Sequence, residues 1–184
     1  MRELDTIRDW FAFNARARRG YLETFARLPR KELTRERGAS YPTLLKIMEH
    51  TLDANRIWIQ KASVGEEEAP YIDLGPDPSL DEVRLYEDQV RAEMVRFLNG
   101  LTEEDLDRTF RIPKGGGFPS DLVLSVRDML WHLVEEELQH RGELNALLWQ
   151  FDVDPPIFDW IDWINWINVP ERGQPVAGSQ PVRE

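Results

Sequence analysis

Three histidines occur in 184 residues, and two of them, His132 and His140, share one segment with Glu136. The spacing is i, i+4, i+8. In an α-helix each four-residue step drifts only about 40° and rises about 6 Å, so the three side chains form one continuous stripe. The third histidine, His50, lies in another apolar-periodic segment, Leu44 to Leu52, which a helical bundle can set opposite that stripe. Imidazole nitrogen and carboxylate oxygen suit zinc, nickel, iron or manganese better than calcium or magnesium, and donor type alone does not choose among the four. His50, Glu136 and His140 would supply the three protein ligands of a catalytic ion, with one position left for water or substrate. His132, one turn away, is either a hydrogen-bonding neighbour of the ligands or an alternative ligand.

Ordinary readings compete with this one. A lone histidine on a helix is commonly a boundary residue with a routine hydrogen bond, and Glu135-Glu136-Glu137 can be a solvated acidic run. Met129, Leu130, Leu133, Leu144 and Leu147 nevertheless put apolar residues beside the stripe, which turns it partly inward, where an unpaired carboxylate is costly. Glu137-Leu138-Gln139-His140 also matches the Glu-x-x-His element of di-iron carboxylate bundles, but that centre needs a second copy, and Ile47 stands where it would precede His50. One ion is favoured over two. A zincin His-Glu-x-x-His motif and a Gly-x-Ser-x-Gly elbow are both missing. Gly115-Gly116-Gly117 lacks the Lys-Ser/Thr ending of a phosphate loop and reads as a flexible turn.

The elements that must position these groups are helical. Leu4, Ile7, Phe11, Tyr21, Leu22 and Phe25 recur at helical spacing over residues 3–28. A loop through Gly38 and Pro42 precedes a second helix that begins near 40–43 and runs to about Ser63. The proline-rich segment up to Pro78 is a crossover loop. Ser79 followed by Glu82 reads as a capping box that opens a helix over roughly 79–99, with Gly100 as its stop. Thr109–Pro113 reads as short extended structure, and the long histidine-bearing helix spans about Ser125 to Trp149. Trp160, Trp163 and Trp166 lie in a last apolar block whose polar positions are Asp and Asn rather than Lys or Arg, which points to docking on the bundle or a subunit interface and not to a membrane surface. The expected architecture is all-α, a single domain over 1–168 followed by a mobile tail over 169–184.

Zero cysteines exclude a disulfide framework, an iron–sulfur site and a thiol nucleophile. The net charge of −11 argues against nucleic acid as a partner. Arg16, Arg18, Arg19, Arg27, Arg30, Lys31, Arg35 and Arg37 form a locally basic stretch, read as solvated helix faces and a charged loop. With neither a signal core at the N-terminus nor an apolar run of membrane-spanning length, a cytoplasmic protein with a small-molecule substrate and no membrane partner is expected.

His50 with Trp58 eight residues on, and the run His132-Leu-Val-Glu-Glu136-Glu-Leu-Gln-His140-Arg141-Gly142-Glu143-Leu144, resemble the DinB-like (DinB/YfiT) proteins, a family of DNA-damage-inducible and metal-dependent proteins. The likeness runs from the first helix to about residue 165. It implies a four-helix up-down-down-up bundle, often a homodimer, with a metal near one end between the second and fourth helices. It places His50 and His140 at ligand positions, with Glu136 where the family usually has a histidine and Glu143 where it usually has glutamine. For activity the resemblance implies either a hydrolase or a transferase or isomerase that uses a low-molecular-weight thiol, the ion activating water or the thiol. A stress-associated bundle with a structural ion, or with a vestigial site, is the alternative. Arg141 either binds an anionic substrate group or pairs with an acid such as Glu137.

Overall fold

The computed structural model describes residues 2–64, 72–114, 119–156 and 158–167. The elements in order are α1 (Glu3–Phe25), α2 (Arg30–Leu33), α3 (Leu44–Val64), α4 (Leu80–Gly100), a 3-10 turn (Glu104–Asp107), β1 (Thr109–Ile112), β2 (Leu122–Ser125), α5 (Val126–Trp149) and α6 (Trp160–Ile167). Local chemistry sets the helix starts. The Ser79 hydroxyl accepts the Glu82 N–H, and the Glu82 carboxylate accepts the Ser79 N–H, the expected capping box. Ser125 and Asp128 repeat the device at the start of α5. Thr43 caps α3 by accepting the Lys46 N–H at 3.1 Å, so this helix begins at Leu44. Past α5 the chain turns at Asp152, whose φ of 56° lies in the left-handed region that Asp tolerates.

Side-chain pairings give the directions. Glu3 bonds Arg127 and Trp131, and Tyr21 bonds Asn145, so α1 and α5 run parallel. Arg8 near the start of α1 donates to the carbonyls of Leu98 and Leu101, so α1 and α4 are antiparallel. Asp53 meets Tyr86 and Arg56 meets Glu93, which makes α3 parallel to α4. His50 lies against His140 and Trp58 against His132, which makes α3 antiparallel to α5. The four long helices therefore form the up-down-down-up bundle, with α1 and α3 each packed on both α4 and α5.

The core has two apolar layers. One gathers Ile7, Phe11, Met94, Met129, Leu130 and Leu133, and the other Phe25, Leu45, Met48, Val90, Leu144 and Leu148. Between them runs a buried polar layer of Arg18, Asn55, Glu87 and Glu137.

Two features lie outside the sequence expectation. The one-turn helix α2 follows Pro29, and the extended run at 109–112 has a partner, β2, paired antiparallel with Phe110 opposite Leu124. Four residues are too few for an alternating pattern to stand out. The aromatic C-terminal segment docks on the bundle: Trp160 stacks on Trp10 with ring centres 3.8 Å apart, and Trp163 is buried. Gly20 permits this approach, because a Cβ there would stand 2.4 Å from a Phe158 ring carbon. The glycine run 115–117 and the tail 169–184 lie outside the described residues. No helix among the described residues is long and apolar enough to cross a membrane.

Candidate functional site

Residues 135, 136 and 137 show what helix phase does to three identical side chains. Glu135 is 64% exposed, Glu136 22% and Glu137 5%. A solvated acidic run describes only the first. Glu137 points into the core, where it accepts from the Arg18 guanidinium and, at 3.0 Å, from Asn55 Nδ2. Arg18 is therefore no solvated cation of a basic helix face; it is buried between Glu137 and Glu87. Arg141 pairs with neither acid, and its guanidinium lies 4.9 Å over the ring of Phe13.

Glu136 faces α3. Its Oε2 stands 3.4 Å from His50 Nε2 and 3.4 Å from His140 Nε2, and the two imidazole centres are 4.9 Å apart. A charge-assisted N–H···O bond closes to about 2.7–2.9 Å, so these separations are long for direct bonding. They match a different geometry: donors held about 2.0–2.1 Å from one tetrahedral ion lie roughly 3.3–3.4 Å from each other. His50, Glu136 and His140 offer donor atoms all within 4.8 Å of one another and form a group that could hold a metal ion. His132 does not join them. Its Nε2 lies 3.9 Å from the other Glu136 oxygen, and with Glu135 and Glu136 it forms a second, more exposed candidate group.

Neighbours orient the donors. His140 is buried, and its Nδ1 lies 3.1 Å from Glu143 Oε2; a proton on Nδ1 would donate to Glu143 and leave the Nε2 lone pair aimed at the trio. Glu143 is itself held by the N–H and hydroxyl of Ser40, each at 2.6 Å. Burial raises the Glu143 pKa, but the bonds from Ser40 and His140 outweigh it and keep the carboxyl below its ordinary range. Tyr41, next along the same loop, stacks on His50 with ring centres 4.0 Å apart. Burial, seconded by the proximity of His140, pushes the His50 pKa down and favours the neutral imidazole that ligation requires.

A cleft of about 740 Å³ opens beside the trio and includes His50, Glu136 and His132 in its walls. It continues along α3 past Asp53, Ala54, Ile57, Trp58 and Lys61, with Leu122 and Leu124 of β2 opposite. Asp53 is a cleft residue that sequence reasoning passed over. Burial pushes its pKa up to about 6, against the lowering effect of the Tyr86 hydroxyl that donates to it at 2.6 Å. An isolated Asp between Leu52 and Ala54 carries no motif, and only its i+3 relation to His50 could have singled it out. Ser40 and the buried role of Arg18 left no signal either, because Glu143 and Glu137 lie 103 and 119 residues away in sequence; Tyr41, in the loop before α3, stands outside the helical spacing that marks His50.

The sequence profile of the DinB superfamily matches residues 14–144, which include all three members of the trio. The chain belongs to the DinB superfamily. This DinB-superfamily chain is similar in fold to the crystal structure of a DinB-like protein from Bacillus cereus, with a TM-score of 0.59 and 18% sequence identity over 79% of this chain and 90% of that one. A DinB-like protein from Bacillus subtilis is similar with a TM-score of 0.61 and 15% identity, over 82% and 97%. No curated protein sequence matches the chain.

Proposed function

We propose that this DinB-superfamily chain is a metal-dependent enzyme, a hydrolase or small-thiol transferase, in which His50, Glu136 and His140 hold one divalent transition-metal ion. The observation that carries the reading is the pair of 3.4 Å separations from Glu136 Oε2 to the two Nε2 atoms, which fit ligands of a common ion better than hydrogen-bonded partners. When bound, such an ion lowers the pKa of a coordinated water or thiol and so supplies a nucleophile near neutral pH.

The chain's own residues do the rest. Glu143 fixes the ring of His140, Tyr41 fixes the ring of His50, and the cleft beside both delivers a small molecule to the free side of the trio. Asp53, one turn beyond His50 and walled by Glu49, Lys46, Arg56 and Tyr86, is the cleft carboxyl placed to take up or release a proton, since burial favours its neutral form. A structural ion would need four protein ligands. With His132 directed to the opposite oxygen of Glu136, three donors converge and a cleft adjoins them, which favours the catalytic reading over the structural one.

Elemental analysis of protein purified without chelator tests the assignment. One equivalent of metal is expected in the native chain, with loss in His50→Ala, His140→Ala and Glu136→Gln while helix content is retained. Native metal content in all three variants would remove the proposal.

A further inference from the structure

Ala54, Ile57 and Lys61 follow His50 at i+4, i+7 and i+11, so they continue its stripe along α3 into the cleft. Trp58 flanks the stripe, and Leu122 and Leu124 face it on one side of β2, while Val123 between them is exposed. The middle of the cleft is thus apolar. Its charges are nearly all engaged: Lys46 with Glu49 at 2.7 Å, Asp53 with Tyr86, Asp128 with Ser125 at 2.6 Å, and Glu136 with the histidines. Lys61 is the exception. Its ammonium lies 5.2 Å over the ring of Trp58, and among the described residues no carboxylate pairs with it.

We infer that the cleft takes an elongated small molecule with a metal-binding head at His50, an apolar body against Trp58 and Leu124, and an anionic terminus at Lys61. This rests on the metal reading above. Eleven residues of helix rise about 16 Å; both side chains lean toward the N-terminus, and the longer Lys61 side chain, with its ammonium over the ring of Trp58, shortens the span to His50. An eight-carbon chain with bonds of about 1.5 Å extends over roughly 9 Å, which lets it reach from the trio toward that ammonium.

The probe is suberic monohydroxamate, whose hydroxamate chelates the ion and whose far end is a carboxylate, compared with its methyl ester and with acetohydroxamate by calorimetric titration of the zinc-loaded chain. The acid is expected to bind more tightly than the ester by up to about fivefold, the upper range for a single partly exposed ion pair. Lys61→Met should level the two, and acetohydroxamate should bind more weakly than either. Equal affinities of acid and ester, a preference that survives Lys61→Met, or acetohydroxamate as strong as the long probes would each overturn the inference and leave the metal reading standing. So would failure of every hydroxamate to bind a chain carrying one equivalent of zinc. A chain that takes up no zinc would remove both, and the zinc content tells the two failures apart.

Discussion

Glu143 accepts both the N–H and the hydroxyl of Ser40 at 2.6 Å while its Oε2 stands 3.1 Å from His140 Nδ1, so one carboxylate ties the loop before α3 to a histidine of α5. Tyr41, the neighbour of Ser40, then lies on His50. Both imidazoles of the trio are oriented from this one loop.

Glu143 should accordingly govern ion affinity without touching the ion. Removal of such an orienting partner typically costs 10- to 100-fold in metal affinity. Glu143→Ala is expected to lose about that much in a chelator competition assay, with the circular dichroism unchanged, and Glu143→Gln, which still accepts from Ser40, should fall between. Native affinity in the alanine variant would show that packing alone orients His140.

The Arg18 layer should govern stability instead. Arg18→Met leaves Glu137 and Glu87 in the core without the cation between them, and breaking a buried pair in this way costs about 3–5 kcal/mol. Urea unfolding measures it. A loss below about 1 kcal/mol, the scale of an exposed pair, would contradict the buried arrangement.

Asp53 should leave a mark on the pH dependence of stability. Its folded pKa is raised to about 6, above that of an unfolded Asp, so the folded chain binds this proton more tightly. The corresponding stability is full below about pH 4 and is lost as pH rises through about 6. Asp53→Asn is neutral throughout and can still accept from Tyr86. In metal-free protein the difference in unfolding free energy between variant and native chain should shift in favour of the variant between pH 4 and 7 and then level off; a constant difference would contradict the raised pKa.

Gly20 should be intolerant of a methyl group. The added Cβ of Gly20→Ala would meet the Phe158 ring at 2.4 and 2.5 Å, and overpacking of this kind costs about 1–3 kcal/mol, more than the roughly 1 kcal/mol that alanine gains in helix propensity. A weaker near-ultraviolet signal from the Trp10–Trp160 stack and a lower midpoint are expected. Adding Phe158→Ala should abolish the penalty of Gly20→Ala, which a double-mutant cycle reads directly.

Much of this architecture was legible from local pattern. Ser79 with Glu82 and Ser125 with Asp128 mark helix starts because a cap acts within four residues. The long helices declare themselves by apolar recurrence at helical spacing, and the aromatic block at 160–167 shows its docking role through the Trp residues it carries. β2 and α2, each four residues long, are shorter than the window over which periodicity is readable. Arg18 looked like one of several surface cations because charge runs read alike whether a helix turns them outward or inward.

The sequence by itself determined that His132, Glu136 and His140 share a stripe, since the pitch of an α-helix follows from backbone geometry alone. Only the tertiary structure decided which of them meets His50. The antiparallel register of α3 on α5 sets His50 between Glu136 and His140 and puts Trp58, two turns on, against His132. That register comes from side chains packed across the whole interface, and no short segment encodes it.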